Sequence, residues 1–270
     1  TASYIASMLR PKIIRDLHLA EYGLKIVACD PGVQTAMPDG SVISWWSDRK
    51  LMAEELRSKA PHDVKRFFEV EEKLQRLAAY LQPFFMEAPP EPERRGLAGL
   101  FELLRVSRRF RGISADEMGD LLKFLTGSLG DFLDQEFKSD ALKRLILSNS
   151  LYGKHGGPYQ PGTAMGLLFH LLSGGEQEQQ GFAGHVIGGM GAITEAMAAS
   201  CRDSGVDIRT DCNVKQINLI NGKAVGVTLE DDSVIEASFV VSNADPKHTY
   251  LCLLSPADLE DEFRRRVEGI

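Results

Sequence analysis

Apolar residues recur at every third or fourth position through much of residues 47–172, and this period predicts a series of amphipathic helices. Ser47 or Asp48 can cap a helix that extends to about Lys59. Pro61 can begin the next helix, because proline suits a first helical turn. The apolar face of that helix is predicted to lie in the core and is formed by Val64, Phe67, Phe68, Leu74, Leu77, Ala78 and Leu81.

Further helices are predicted toward the middle of the chain. Ser114 and Glu117 have the spacing of a capping box, in which each side chain satisfies a backbone N–H of the first turn. Two helical runs centre on Phe132 and Leu145, and another extends from about Thr163 to Leu172. The first two thirds of the chain are therefore predicted to be mainly helical.

Near the N-terminus, apolar residues recur at every second position rather than at every third or fourth. Apolar and polar residues alternate in 24–28, 33–37 and 42–46, and two turn sequences, Asp30-Pro31-Gly32 and Pro38-Asp39-Gly40, separate these runs. We therefore expect a three-stranded antiparallel meander. The adjacent Trp45 and Trp46 at its end would contribute mainly to the core, given the area that tryptophan buries.

A second group of strands is predicted after Gly205, a residue suited to the left-handed position that follows a helix. The first strand would begin at Val206 and Ile208 and continue through Val214 and Ile217. Asn221-Gly222 is a strong signal for a two-residue hairpin turn. The remaining strands alternate apolar residues at Val225, Val227 and Leu229, and at Ile235, Ala237, Phe239 and Val241.

Two segments near these strands could bring backbone amides to a ligand. One is the glycine loop Gly188-Gly189-Met190-Gly191, which leads into a helix whose apolar stripe includes Ile193 and Ala196. The other is the turn Ser242-Asn243-Ala244, followed by Asp245-Pro246 as the cap of a new helix. Glycines that only allow the helix to pack explain the loop equally well. The loop also lacks the spacing of a dinucleotide fingerprint.

A basic amphipathic segment covers residues 94–111. It places Arg94, Arg95, Arg105, Arg108, Arg109 and Arg111 among Leu97, Leu100, Phe101, Leu103, Leu104, Val106 and Phe110. Such a helix could lie on an anionic membrane surface as a peripheral contact. The other interpretation is a surface helix whose arginines pair with nearby carboxylates.

Composition narrows the function classes. The 270 residues carry a net charge of −7, which argues against a nucleic-acid partner. Four dispersed cysteines and six histidines form no metal-ligand motif, so we predict no metal and a cytoplasmic chain with reduced thiols. No apolar run is long enough to span a bilayer. His155, His170 and His185 are the candidates for a general base, but no acid stands at a triad-like spacing from them.

Several short strings, taken in order, resemble the phytoene desaturase-like flavoprotein oxidoreductases, relatives of the amine oxidases. They are Leu9-Arg10-Pro11, Asp16-Leu17, Tyr22-Gly23-Leu24, Asp30-Pro31, Pro38-Asp39-Gly40-Ser41, Pro161-Gly162, Gly188-Gly189-Met190-Gly191-Ala192 and Val240-Val241-Ser242-Asn243-Ala244-Asp245-Pro246. The resemblance extends over almost the whole chain. It implies an α+β fold with a mixed β-sheet, a helical substrate domain and part of a discontinuous FAD/NAD(P)-binding domain.

The resemblance also implies roles for particular segments. Residues 1–175 would form the substrate-binding domain, 176–245 part of the FAD-binding domain, and 246–270 a return to the substrate domain. The expected FAD-binding residues are Asn213, Val214, Ser242, Asn243, Ala244, Gly188 and Gly189, with Val214 meeting the adenine through its backbone. The flavin would abstract hydride from a small apolar substrate that the protein orients, and no catalytic side chain is assigned.

The chain lacks the family's GxGxxG segment and the C-terminal segment that closes over the flavin. We therefore expect a central fragment that binds FAD weakly or not at all, needs the remainder of its parent flavoprotein, and could form a homodimer. The alternative is a non-catalytic binding or interaction module with a docking helix. A true amine oxidase is disfavoured because Asn243-Ala244-Asp245-Pro246 is similar to the desaturase sequence.

Overall fold

The computed structural model describes residues 6, 9–85, 96–151, 156–168 and 184–270. The chain divides into two compact units, Thr1–Ser204 and Gly205–Ile270. Helices and small antiparallel sheets together confirm the α+β class. Every pair of described strands is antiparallel, so only the antiparallel part of the expected mixed sheet is observed.

The described α-helices are α1 (Pro11–Asp16), α2 (Arg49–Lys59), α3 (Val64–Leu81), α4 (Leu97–Arg109), α5 (Ala115–Thr126), α6 (Leu129–Glu136), α7 (Asp140–Ser150), α8 (Gly191–Asp203) and α9 (Asp261–Glu268). Shorter helical turns are Pro61–Asp63, Gln82–Phe85, His248–Cys252 and Pro256–Asp258. Of the helix expected from Thr163 to Leu172, residues 165–168 are helical, and 169–172 lie outside the described residues.

The described strands are β1 (Ile26–Ala28), β2 (Val33–Ala36), β3 (Val42–Trp45), β4 (Gly184–Val186), β5 (Val214–Ile220), β6 (Lys223–Leu229) and β7 (Val234–Glu236). They form a β1–β4 pair, a β2–β3 pair and a β5–β6–β7 sheet.

Side-chain caps explain where several helices of the first unit begin. The Asp48 carboxylate accepts from the N–H groups of Lys50 and Leu51, as its position before α2 predicts. Ser114 and Glu117 form both halves of the predicted capping box at the start of α5. These caps satisfy donors that a helix leaves unpaired, so local sequence is enough to place these starts.

The main core of the first unit lies between its helices and the β2–β3 hairpin. The apolar face of α3 is buried at Phe67, Leu74 and Leu77, as its period predicts. Trp45 contributes an edge-to-face contact with Phe67 at 5.4 Å between ring centroids, and both tryptophans pack against the core as expected. Fully buried leucines from other helices complete it: Leu56, Leu129, Leu133, Leu142 and Leu145.

The expected three-stranded meander is wrong in one pairing. β2 and β3 form the predicted hairpin, but β1 pairs with β4, so that Ile26 lies opposite Val186 and Ala28 opposite Gly184. The short turn between β1 and β2 led to the prediction that these two strands pair. The partner of β1 is instead β4, which is distant in the sequence. A Cβ on Gly184 would come within 2.4 Å of the Ile26 side chain, so the glycine allows the two strands to approach.

A second, smaller core surrounds α8. Leu19, Leu24, Val186, Ile193 and Ala196 are buried there together. The Tyr22 hydroxyl donates to the Asp203 carboxylate at 2.7 Å, and this hydrogen bond to a charged acceptor raises the pKa of Tyr22. The C-terminal end of α8 is thereby tied to the turn that precedes β1.

The second unit is a twisted antiparallel sheet with helical turns after it. Asn221 and Gly222 both have positive φ, at 51° and 75°, in the predicted two-residue turn between β5 and β6. Leu253 closes one side of the sheet, where its carbonyl accepts from the N–H of Ile217 at 2.8 Å. Gly205 has φ 81°, as expected for the residue after a helix.

Two predicted strands of this unit are shorter than expected. β5 begins at Val214, because Asp211 has φ 58° and interrupts extended backbone between Ile208 and Val214. β7 ends at Glu236, and Phe239 and Val241 are 87% and 94% exposed. Alternating apolar residues alone do not make a strand where no described neighbour offers a ladder.

Candidate cofactor site

A cavity of about 500 Å³ lies within the second unit, beside the start of β5 and the turn that follows β7. Five of the seven predicted cofactor residues line it. The full lining is Asn213, Val214, Ile217, Val227, Glu230, Val240, Val241, Ser242, Asn243, Ala244, His248 and Leu253. Val214 and Ala244, which are 30 positions apart in the sequence, thus face one space.

The start of β5 fixes Asn213 and Val214 at the cavity. The Asn213 carbonyl accepts from the N–H of Glu230 at 3.0 Å, which ties the strand start to the end of β6. The Lys215 ammonium donates to the Asp232 carboxylate at 2.6 Å, and this contact raises the pKa of Lys215. The backbone at Val214 is therefore held from both of its neighbours.

The turn Ser242-Asn243-Ala244 is held by the helical turn that follows it. The hydroxyls of Ser242 and Thr249 are 2.8 Å apart, and the Thr249 hydroxyl also donates to the Ala244 carbonyl at 3.4 Å. The Asp245 side chain accepts from the N–H of His248 at 3.0 Å. Asp245 thus caps the start of this helical segment, as the Asp-Pro sequence predicts, although the turn His248–Cys252 is a π-helix.

The lining of the cavity combines two kinds of group. Val214, Ile217, Val227 and Leu253 offer apolar surface that can contact the faces of a planar ring. Asn213, Asn243, Glu230, Ser242 and His248 offer hydrogen-bond donors and acceptors that can orient hydroxyl groups and ring nitrogens. Such a lining suits a nucleoside-sized molecule.

Sequence reasoning missed Glu230 and His248 as lining residues. Neither residue is among the cofactor residues that the sequence predicts. His248 could have been found from its position three residues after Asp245, which places it on the first turn of the capped helix. Glu230 had no comparable local signal, since it reaches the cavity through the β5–β6 pairing.

Gly188 and Gly189 belong to the other unit, in the turn between β4 and α8. Both have positive φ, at 87° and 83°, which explains the choice of glycine from backbone conformation. The Gly189 N–H donates to the Val186 carbonyl at 3.0 Å and is engaged within the turn. Their role as cofactor residues stays a prediction.

None of the candidate general bases is among the described lining residues of the cavity. His185 lies in β4 of the first unit and is exposed, while His155 and His170 lie outside the described residues. Among the described residues, no group of His, Cys, Asp or Glu could hold a metal ion. In the part of the chain that the structure describes, no helix has both the length and the apolar character to cross a membrane.

Comparison with known proteins places the chain in a family. The family model described as "Flavin containing amine oxidoreductase" matches residues 31–270. The mouse protein called "Pyridine nucleotide-disulfide oxidoreductase domain-containing protein 2" is 30% identical over 100% of this chain and 48% of its own length. The neurosporene-forming phytoene desaturase of Cereibacter sphaeroides is 27% identical over 90% of this chain and 43% of its own length.

A solved structure agrees in fold. A putrescine oxidase double mutant with redesigned cofactor binding aligns with a TM-score of 0.52 at 15% identity, over 98% of this chain and 51% of that one. The chain spans about half the length of the curated relatives that it matches. The sequence resemblance to desaturase-like flavoproteins is confirmed, and the chain belongs to the family of flavin containing amine oxidoreductases.

Proposed function

We propose that this chain is the central part of an FAD-dependent oxidoreductase of the desaturase or dehydrogenase type. The observation that supports it most directly is the cavity of the second unit. Asn213, Val214 and the turn 242–244 were assigned to FAD by resemblance, and they line one space of about 500 Å³. Val214, which the resemblance assigns to the adenine contact, and the turn 242–244, which it places near the cofactor, thus line the same cavity.

The chemistry of the lining fits the adenosine half of FAD. Val214 and Ile217 would contact the faces of the adenine ring, and burial of ring faces is favourable by about 25 cal/mol per Å². The Glu230 carboxylate is an acceptor suited to ribose hydroxyls, and Asn213 and Asn243 can both donate and accept. When bound, a flavin accepts a hydride from the substrate.

The substrate class is proposed to be apolar, with an isoprenoid as one form. Residues 1–175 would provide the substrate-binding domain, and 246–270 would return to it. The relatives that support this include the phytoene desaturase of Cereibacter sphaeroides and a 4,4'-diapolycopene oxygenase of a Methylomonas species. Residues of the described cavity would bind and orient cofactor, so substrate contacts are expected elsewhere in the protein.

The test uses the full-length gene product that contains these residues. Ala244→Leu would fill part of the cavity, and overpacking of about 1–3 kcal/mol would weaken FAD binding roughly 5- to 150-fold. FAD released per mole of purified protein and titration of the apoprotein provide the measurement. Ala257→Leu is the matched control, because Ala257 is an exposed residue of the same unit outside the cavity.

Equal FAD affinity in both variants would exclude the cavity as the cofactor site. A full-length product that never takes up FAD would reject the oxidoreductase proposal and favour a non-catalytic binding module. The isolated 270-residue chain is expected to bind FAD weakly or not at all, so visible flavin absorbance in that chain would contradict this part of the proposal.

A further inference from the structure

Helix α4 presents large apolar side chains to solvent. Leu100, Phe101, Leu103 and Leu104 are 54%, 71%, 63% and 46% exposed. Isolated exposed leucines are ordinary on protein surfaces, but four large apolar residues within five positions form a patch.

Three residues of the patch, Leu100, Phe101 and Leu104, lie on the side of α4 that faces away from the core. Gly99 is buried, and Val106 and Phe110 are half-buried on the opposite side. Phe110 packs there against Tyr80 and Phe84, with ring centroids 6.5 and 5.9 Å apart. At 100° per residue, Leu100, Phe101 and Leu104 centre on the face opposite this contact. The helix is thus held by one side and exposes an apolar surface on the other.

Positive charge surrounds the same patch. Arg108 lies one turn beyond Leu104, Arg105 lies next to the apolar face on the side of Phe101, and Arg111 follows two residues after the end of the helix. All three are exposed. Among the described residues, neither Arg108 nor Arg111 has an ion-pair partner, so the alternative of a helix whose arginines pair with carboxylates does not hold for these two.

We propose that α4 binds the surface of a membrane that contains anionic phospholipids, with Leu100, Phe101 and Leu104 inserted among the acyl chains. Arg108 and Arg111 would contact the phosphate and carboxylate groups of the lipid heads. With 13 residues, the helix has the length to lie in the interface plane.

Charge favours lipid over a second copy of the chain as the occupant. Two copies joined through this face would bring two sets of arginines into one small contact, whereas anionic head groups neutralise them. The net charge of −7 does not prevent binding, because charges farther than about 8 Å are largely screened at physiological ionic strength. The arginines next to the patch therefore determine how strongly α4 is attracted to an anionic membrane surface.

The test is flotation of the 270-residue chain with vesicles of equal parts phosphatidylcholine and phosphatidylserine, compared with phosphatidylcholine alone. Binding is expected to the anionic vesicles, with weakening at high salt. The double variant Phe101→Ser/Leu104→Ser should bind roughly 100-fold more weakly, because two inserted apolar side chains are lost. Arg108→Glu should weaken binding roughly tenfold.

Leu51→Ser is the matched control, because Leu51 is 43% exposed on α2, a different helix. It should bind like the unchanged chain. The far-ultraviolet circular dichroism of each variant shows whether it is folded, and the exposed positions chosen should leave it unchanged. Failure to bind anionic vesicles, or equal binding by the double variant, overturns the proposal. A dimer that the double variant dissociates, without vesicle binding, would assign the patch to self-association.

Discussion

Asp63 shows how one residue can join distant parts of the first unit. Its side chain is 2% exposed and accepts three hydrogen bonds. They come from the N–H of Lys138, at 3.0 and 3.1 Å, and from the N–H of Ser139, at 2.7 Å. A carboxylate in this position stabilises the segment before α7 from 75 residues away, because it satisfies donors that face the protein interior.

Asp63→Ala is expected to lower the free energy of unfolding by about 2–4 kcal/mol, since two backbone donors lose charged acceptors inside the protein. Urea denaturation followed by circular dichroism measures the change. Glu54→Ala is the control, because Glu54 is exposed on α2 and should shift stability by less than about 0.5 kcal/mol. Similar values for both variants would show that the three hydrogen bonds contribute nothing.

Residue-level prediction from sequence worked where the signal was local. The caps at Asp48 and Ser114 depend on side chains reaching their own helix turn, and both are observed. The role of Asp63 depends on partners beyond position 130, and no neighbouring residue indicates it. His248 was missed at the cavity although Asp245 marks its turn.

At the scale of elements, Gly226 illustrates how closely two strands can pack. It lies in the middle of β6 with φ 151° and is buried. A Cβ at this position would lie 2.2 Å from the Ile235 carbonyl oxygen and 3.0 Å from the Glu236 Cα, both in β7. The pairing of β6 with β7 therefore requires glycine here.

Gly226→Ala is expected to lower the free energy of unfolding of the second unit by about 2–4 kcal/mol, through a backbone clash and a disfavoured φ. Gly119→Ala is the matched substitution in α5, where a Cβ meets nothing within 4 Å. It should raise stability by about 0.5–1 kcal/mol, as expected for alanine in a helix interior. Thermal unfolding measures both changes, and a neutral Gly226→Ala would contradict the clash.

Elements were predictable as far as their own residues determine them. The hairpin at Asn221-Gly222 and the faces of α3 and α8 follow from turn chemistry and period. The partner of β1 does not, because β4 is more than 150 residues away in the sequence. The early start predicted for β5 was wrong because Asp211 takes a left-handed conformation that alternation does not reveal.

At the scale of the whole molecule, the two units differ in how much apolar surface they bury. The first unit contains the large cluster around Leu56, Leu77 and Leu145. In the second unit, the buried apolar residues among those described are Ile217, Leu229, Leu253 and Val267. Burial of apolar area is the main stabilising contribution to folding, so we expect the second unit to be the less stable of the two.

Hydrogen–deuterium exchange is expected to show this difference in the 270-residue chain. Amides of α3 and α7 should exchange at least roughly tenfold more slowly than amides of β5 and β6, because the sheet opens at lower free energy. Mass spectrometry after proteolysis provides the measurement. Equal protection of β5 and α7 would show that the two units unfold together.

The family assignment extends over nearly the whole chain, and the short strings from Leu9-Arg10-Pro11 to Val240–Pro246, taken together and in order, suggested it from sequence. The cofactor residues were assigned by resemblance, and the structure brings five of the seven to one cavity. Without the resemblance, the residues themselves indicated only two segments that could bring backbone amides to a ligand. No set of side chains in the sequence specifies a flavin.

The pairing of β1 with β4 has a consequence for the evolution and engineering of the chain. Ala28 and Gly184 are opposite one another, so the polypeptide leaves this strand pair and re-enters it at adjacent points. The polypeptide between Ala28 and Gly184 is therefore a topological insertion, and its two ends lie side by side at this strand pair. Homologues could enlarge, shrink or exchange that insert while leaving the Tyr22–Asp203 tie and the buried helix beside it intact.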